Sequence, residues 1–299
     1  MISIIVCSRN KELPDYFLNN IKETVGVEHE IICIDNSENT YSIFSAYNLG
    51  MSQSNFPNLC FVHEDVNFHT QNWGKKVNEH LRKSRTGIIG LAGGDLATKV
   101  PSSWAALNPS INIIQSDYSG KKPTKYIRMP DVEVSRSVVL LDGVFLCMKK
   151  TIFEKIRFDE NLGGFHGYDF DICIQSILAG YLNFVIYDIE VEHHSHGNMN
   201  MVYIRNLIKV FKKWEDYLPL VEHKISKADQ ELIIPVIERY RLERLLKRLV
   251  RTGFPTNEIE EIFSYYTKII GTKTSIKLLK ILRLRILMIH ITSRIRNKK

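Results

Sequence analysis

The chain has 299 residues, 44% hydrophobic and 24% charged, close to average globular usage. That excludes a disordered chain, a collagen-like chain and a long coiled coil, and the length suffices to bury a core without disulfide staples. The formal net charge of +7 is uneven: from Arg241 to Lys299 there are 15 basic and 4 acidic residues, so the basic character belongs to the tail and speaks for the tail's partners alone.

Ile2–Cys7 is a β-branched run, too short for the core of a secretory leader, and reads as a buried strand ended by Ser8-Arg9-Asn10. A helix is expected over Leu13–Val25, a strand over Glu30–Asp35, a helix over Tyr41–Ser52, a strand over Leu59–His63, a helix over Trp73–Lys83 and a strand over Gly87–Ala92. Short apolar strands alternating with helices imply right-handed crossovers and a mostly parallel sheet. From Gly93 to Arg136 the pattern breaks into irregular connections and small strands such as Ile111–Ile114. Val138–Met148 reads as a strand interrupted at Asp142-Gly143, Phe170–Ala179 as a helix and Asn183–Tyr187 as a strand. After His194 only helices are expected, over Val202–Trp214, Gln230–Val250, Asn257–Ile270 and Ser275–Ile295. The predicted organisation is a main α/β domain over 1–220 and a basic helical appendage over 221–299.

The five cysteines, Cys7, Cys33, Cys60, Cys147 and Cys173, sit in apolar runs without a CxxC spacing. They read as small hydrophobes in a reducing, cytoplasmic setting and not as a disulfide framework or a zinc site. No apolar run reaches the roughly 18 residues of a spanning helix.

Polar residues cluster where strands end. Ser8-Arg9-Asn10, Asp35-Asn36-Ser37 and His63-Glu64-Asp65 follow the first three strands, and in open parallel sheets ligands bind outside these carboxyl ends. Asp35 can accept hydrogen bonds from a ribose or base; alternatively Asp35 and Ser37 cap the next helix. Adjacent Glu64 and Asp65 repel unless a cation or donor lies between them, which suits Mg2+ or Mn2+ or else a solvated acidic turn. Gly163, Gly164 and Gly167 in "LGGFHGYDFDIC" allow close approach of backbone to ligand, with Asp169 as a reactive carboxylate or an N-cap. His193, His194 and His196 follow a strand and suggest a metal or phosphate contact. Trp104, Phe165 and His166 could rim a sugar acceptor, with core packing as the alternative for Trp104.

The ordered set "ISIIVCSRN", "IICIDNS", "AYNLGMSQS", "CFVHEDV", "LDGVFLCMKKTIFEKIRFDENLGGFHGYDFDICIQSILAGY" and "VEHHSHG" resembles the family 2 glycosyltransferases of the GT-A fold, within them a bacterial glycosyltransferase-like subgroup, over roughly residues 1–217. The resemblance implies a nucleotide-sugar donor, foremost a UDP-sugar, a divalent metal (Mn2+ or Mg2+) and a glycan or lipid-linked acceptor in surface polysaccharide synthesis. It places Ser8, Arg9, Asp35, Asn36, Ser37, His63 and Glu64 around the nucleotide. It places Asp65 at the last acidic position of the metal-binding DxD motif, with His193 or His194 completing that site. Asp142, Gly143, Gly164, Phe165, His166 and Trp104 would face the donor or acceptor sugar. Asp169 matches the Asp of the family's Glu-Asp motif and would be the general base of an inverting transfer. Two positions depart from the pattern: His63 stands at the first acidic position of DxD, and Tyr168 at the Glu of Glu-Asp. The alternatives are a catalytically silent nucleotide-binding scaffold and a nucleotidyltransferase, the latter weakened because no Gly-rich, Lys-bearing loop follows the first strand.

From Lys268 to Lys299 there are 10 basic and no acidic residues. A basic amphipathic helix there suits peripheral contact with anionic lipid; a solvated helix face or an oligomer interface are the alternatives. No recognition motif for nucleic acid accompanies it.

Overall fold

The computed structural model describes residues 1–116, 124–128, 134–195 and 199–271. The helix expected over Ser275–Ile295, nearly all of the basic run from Lys268, and His196 lie outside the described residues.

Two compact units are present. The first comprises 1–97, 103–198 and 220–222, the second 98–102, 199–219 and 223–299. This division differs from a single boundary near 220: the helix Met201–Lys213 falls in the second unit because its apolar face, Ile204 and Ile208, packs in that unit's core.

In the first unit the chain runs through β1 (Ile2–Ser8), α1 (Asp15–Thr24), β2 (His29–Asp35), α2 (Ile43–Gln53), β3 (Asn58–Val62), β4 (Val66–Phe68), α3 (Trp73–Arg82) and β5 (Thr86–Gly90). Short strands β6 (Ala92–Gly94) and β7 (Leu96–Ala97) precede a 3-10 turn at Trp104–Ala106. Then come β8 (Ser110–Gln115), β9 (Thr124–Arg128), β10 (Ser135–Val138), β11 (Leu140–Leu141), β12 (Phe145–Lys149), α4 (Lys150–Phe153), α5 (Tyr168–Leu178), β13 (Leu182–Ile186) and β14 (Val191–His193).

The central sheet has seven strands in the order β10-β13-β5-β12-β3-β1-β2. β1, β2, β3, β5 and β13 run one way; β12 is antiparallel to both β3 and β5, and β10 is antiparallel to β13. Burial on both faces explains why β1 carries apolar residues at successive positions, Ile4 to Cys7, instead of alternating with polar ones. A second sheet, β11-β6-β8-β14-β4, with β9 on β8, gathers the short strands. The segment expected as one strand over Gly87–Ala92 breaks and changes sheets, β5 to β6; that over Val138–Met148 is interrupted at Asp142-Gly143 as expected, between β11 and β12, and also changes sheets between β10 and β11. One strand also follows His194, β15 (Leu220–Val221), paired with β7.

Local chemistry sets the element ends. Ser42 caps α2, its Oγ accepting from the Ser45 N–H at 3.2 Å, so Asp35 and Ser37 are not that helix's cap. Gly167, at φ 84°, precedes α5; the helix starts before Asp169, which sits in its first turn.

Trp73 anchors the core. It is fully buried, stacks on Phe68 at 4.2 Å and 11°, and donates from Nε1 to Thr24 Oγ1 at 3.1 Å. Trp73→Ala is expected to cost about 3–5 kcal/mol of stability, read from the shift in denaturant midpoint.

The second unit holds α6 (Met201–Lys213), α7 (Lys227–Arg251) and α8 (Thr256–Ile269). Leu242, Leu245, Leu246 and Leu249 recur at helical spacing along α7 and pack with Phe263 and Tyr266 of α8. Among the described residues no helix is long and apolar enough to cross a membrane. All five cysteines are unpaired.

Candidate active site

β1, β2 and β3 end at one edge of the central sheet, and their polar ends assemble there. The Asn36 N–H donates to the Ser8 carbonyl at 2.9 Å, tying the end of β2 to that of β1. Ser8 is fully buried and its Oγ donates to Glu64 Oε2 at 2.5 Å, while the Arg9 N–H donates to Glu64 Oε1 at 3.3 Å. Asn36 is buried and exchanges two hydrogen bonds with the Tyr41 backbone, at 3.0 and 2.8 Å. Asp35 is exposed at the sheet edge and accepts the Ser37 N–H at 2.9 Å. Hydrogen bonds from the Ser37 backbone and side chain hold its carboxyl below the usual range.

Glu64 and Asp65 do not share a cation site. Successive residues at the strand end point apart, Glu64 to Ser8 and Arg9, Asp65 to two histidines. The antiparallel pairing of β4 with β14 sets His193 opposite Val66, and the His194 N–H donates to the Asp65 carbonyl at 2.9 Å. Asp65 Oδ1 thereby lies 3.4 Å from His193 Nε2 and 3.9 Å from His63 Nδ1. Burial acts to raise the Asp65 carboxyl, but the polar contact and charge of His193, with His63 and Ser195, hold it well below the usual range. Burial in turn holds His63 below the usual imidazole range, with Asp65 opposing and His193 adding to the effect.

His194 does not join this group. Neighbours on a strand face opposite sides, so only His193 reaches Asp65; His194 Nδ1 lies 2.7 Å from Ser116 Oγ and 3.9 Å from Glu192. His63, expected beside the nucleotide, takes its place. One ligand atom each from His63, Asp65 and His193 lies within 4.8 Å of the others. Asp65 Oδ1 is buried yet accepts no hydrogen bond. An orphaned carboxylate oxygen flanked by two imidazole nitrogens is a donor set that fits a divalent cation.

The second half of the site comes from the turn before β12 and the start of α5. Asp142 Oδ2 accepts from Trp104 Nε1 at 2.8 Å, and Oδ1 from the Val144 N–H at 3.1 Å. Trp104 is thus half-buried and bonded to the site, not wholly core. The Tyr168 hydroxyl donates to the Gly143 carbonyl at 3.0 Å and lies 2.9 Å from His63 Nε2. Only glycine fits at 143, because a Cβ there would stand 2.2 Å from that hydroxyl. Burial first, and the Asp142 carboxylate second, push Asp169 up to about 8, against the backbone N–H groups of Phe170, Asp169 itself and Gly143. Positive φ at Gly163, Gly164 and Gly167 shapes the turn that leaves Phe165 43% exposed. The Gly164 carbonyl accepts the Ile43 N–H at 3.0 Å, fixing that turn to α2, and burial holds His166 below the usual imidazole range.

Residues 3–214 match the model of a glycosyltransferase-like family. The chain belongs to that family.

This member of the glycosyltransferase-like family has the GT-A fold. It is similar to GalNAc-T7 solved with UDP, GalNAc and Mn2+, at 12% identity and a TM-score of 0.53, over 93% of this chain and 56% of that one. The chain thus spans little more than half of that protein's length. It is also similar to the mannosyltransferase PcManGT from Pyrobaculum calidifontis, solved with GDP-Man and Mn2+, at 11% identity and a TM-score of 0.50, over 100% of this chain and 88% of that one. No curated protein sequence gives a match. Sequence reasoning about this glycosyltransferase missed Gln115, whose Nε2 donates to the His193 and Ser195 carbonyls at 3.0 and 2.5 Å. It also missed Ser195, whose Oγ is 3.1 Å from His193 Nε2. Gln115 carried no local signal; Ser195 lay within the histidine motif.

Proposed function

We propose that this enzyme transfers a sugar from a nucleotide-sugar donor, foremost a UDP-sugar, to a hydroxyl of a glycan or glycolipid acceptor, with inversion at the anomeric carbon. The observation that carries the reading is the grouping of His63, Asp65 and His193 around a buried, unbonded carboxylate oxygen, linked through Tyr168 to the turn that holds Asp142 and the start of α5 that holds Asp169. The Mn2+ in both similar structures supports it, and two imidazoles favour Mn2+ over Mg2+, which takes oxygen ligands. A cation held by His63, Asp65 and His193 supplies positive charge to the departing diphosphate.

Asp35, at the end of β2, accepts hydrogen bonds from the ribose or base, and Ser8 and Asn36 hold the floor beneath it. Asp142, fixed by Trp104, faces the donor sugar. Asp169 takes the proton of the acceptor hydroxyl as that oxygen forms its bond to the anomeric carbon and the bond to the diphosphate breaks, the electron pair leaving with the diphosphate. A carboxylate poised near neutral pH suits this task. Phe165, exposed on its glycine turn, offers the acceptor sugar an apolar face. The ten basic residues from Lys268 onward support an acceptor presented at the cytoplasmic face of a membrane.

Thermal unfolding with UDP, GDP, dTDP and CDP, each with and without Mn2+, tests the reading. One nucleotide is expected to raise the unfolding temperature, and Mn2+ to enlarge the rise. A rise without any Mn2+ effect would retire the cation site, and no rise with any nucleotide would favour the silent scaffold.

A further inference from the structure

The two positions that depart from the family pattern, His63 and Tyr168, stand 105 residues apart in the chain and meet in the fold, Nε2 of His63 lying 2.9 Å from the Tyr168 hydroxyl. That hydroxyl gives its proton to the Gly143 carbonyl at 3.0 Å. A phenol has one proton to donate, and a carbonyl oxygen can only accept. The hydroxyl therefore meets His63 with a lone pair, and Nε2 must carry the ring hydrogen. Nδ1 keeps its lone pair, and Nδ1 is the nitrogen turned toward Asp65, 3.9 Å from Oδ1. The phenol cannot swing away: Tyr168 is 5% exposed and its ring packs edge-on against Phe44 and Tyr47.

We propose that Tyr168 is a positioning residue for His63: its bond to Gly143 fixes the Nε2–H tautomer, and so presents Nδ1 to the divalent cation. The inference rests on the cation reading above and deepens it. An acidic residue at position 63 would need no such partner, since either carboxylate oxygen can ligate, whereas an imidazole ligates only through its unprotonated nitrogen. In this chain the two residues therefore act as a pair, and Gly143 supplies the room for it, a Cβ there standing 2.2 Å from the hydroxyl.

The test uses the full chain with 15N-labelled histidine. In the metal-free wild type at a pH where the ring is neutral, long-range 1H–15N spectra are expected to show His63 as the Nε2–H tautomer, the signal being assigned by its loss in His63→Asp. Tyr168→Phe is expected to give a mixture of tautomers and to weaken Mn2+ binding, measured by calorimetry, by about 10–100-fold. In the His63→Asp background the same change is expected to leave Mn2+ affinity within about twofold. An Nδ1–H tautomer at wild-type His63, unchanged Mn2+ affinity in Tyr168→Phe, or an equal loss in the His63→Asp background each overturns the proposal. If His63→Asp fails to fold, the wild-type and Tyr168→Phe tautomers decide. The Nε2–H tautomer together with no Mn2+ binding in the wild type overturns the cation reading instead, and the ligand role with it.

Discussion

Asp169→Asn is expected to lower turnover by about 10²–10⁴-fold, the usual worth of a general base, while leaving nucleotide affinity within a few-fold. The asparagine keeps the size of the side chain and the start of α5, so the loss falls on proton removal from the acceptor. The pH profile separates this from a packing effect. Burial and the neighbouring Asp142 push the Asp169 carboxyl up to about 8. Only the deprotonated form can act as base, so wild-type kcat/KM should rise with pH up to about that value and flatten above it. The variant's residual activity should lose that limb. Stability runs the other way. A carboxyl raised in the folded state binds its proton there while the unfolded chain, with an ordinary value of about 3.9, has released it. The fold therefore loses stability as pH rises between those two values and no further above them. Asp169→Asn has no proton to lose, so its unfolding temperature should exceed that of the wild type at pH 8 and converge with it near pH 4. Equal turnover in variant and wild type would remove Asp169 from the mechanism.

Asp65→Ala carries the second large effect. Asp65 is the centre of the His63–Asp65–His193 group, and its Oδ1 is the buried oxygen without a hydrogen bond. Its removal leaves two imidazoles with no anion between them. Mn2+ affinity should fall by more than the roughly 10–100-fold typical of outer partners, measured by titration followed by electron paramagnetic resonance. Turnover should fall with it, and the rise in unfolding temperature on adding Mn2+ should vanish, because a ligand stabilises only through the state that binds it. Nucleotide binding without Mn2+ should persist, since Ser8, Asn36 and Asp35 are held by other contacts. Mn2+ binding that survives in Asp65→Ala would move the cation elsewhere.

The strands β1, β2 and β3, the helices between them and the polar residues at their ends were legible because local pattern determines them. β-branched runs alternate with amphipathic stretches, and a parallel strand buried on both faces reads as mostly apolar and not as a strict apolar–polar alternation. The family resemblance followed from the order of these pieces. Less was legible where strands change sheets. Gly87–Ala92 looks like one strand and Val138–Met148 like a strand interrupted at Asp142-Gly143, and no local feature states that β5 and β6, or β10 and β11, lie in different sheets.

Within the site the sequence by itself determined which residue types were on hand: carboxylates after strands, a glycine turn, a histidine run. Tertiary structure alone decided which of them meet. Glu64 and Asp65 are adjacent in the chain yet serve different partners, because the turn between β3 and β4 sends them apart, and His193 and His194 likewise diverge at the end of β14, where successive side chains leave on opposite sides. Conversely His63 and Tyr168 look like two separate departures from a pattern and become one hydrogen-bonded pair across 105 residues. The physical reason is range. Periodicity and turn chemistry act over a few neighbouring residues, whereas strand register and sheet order are set by burial of the whole core, and they alone bring β3, β14 and the start of α5 to the same edge.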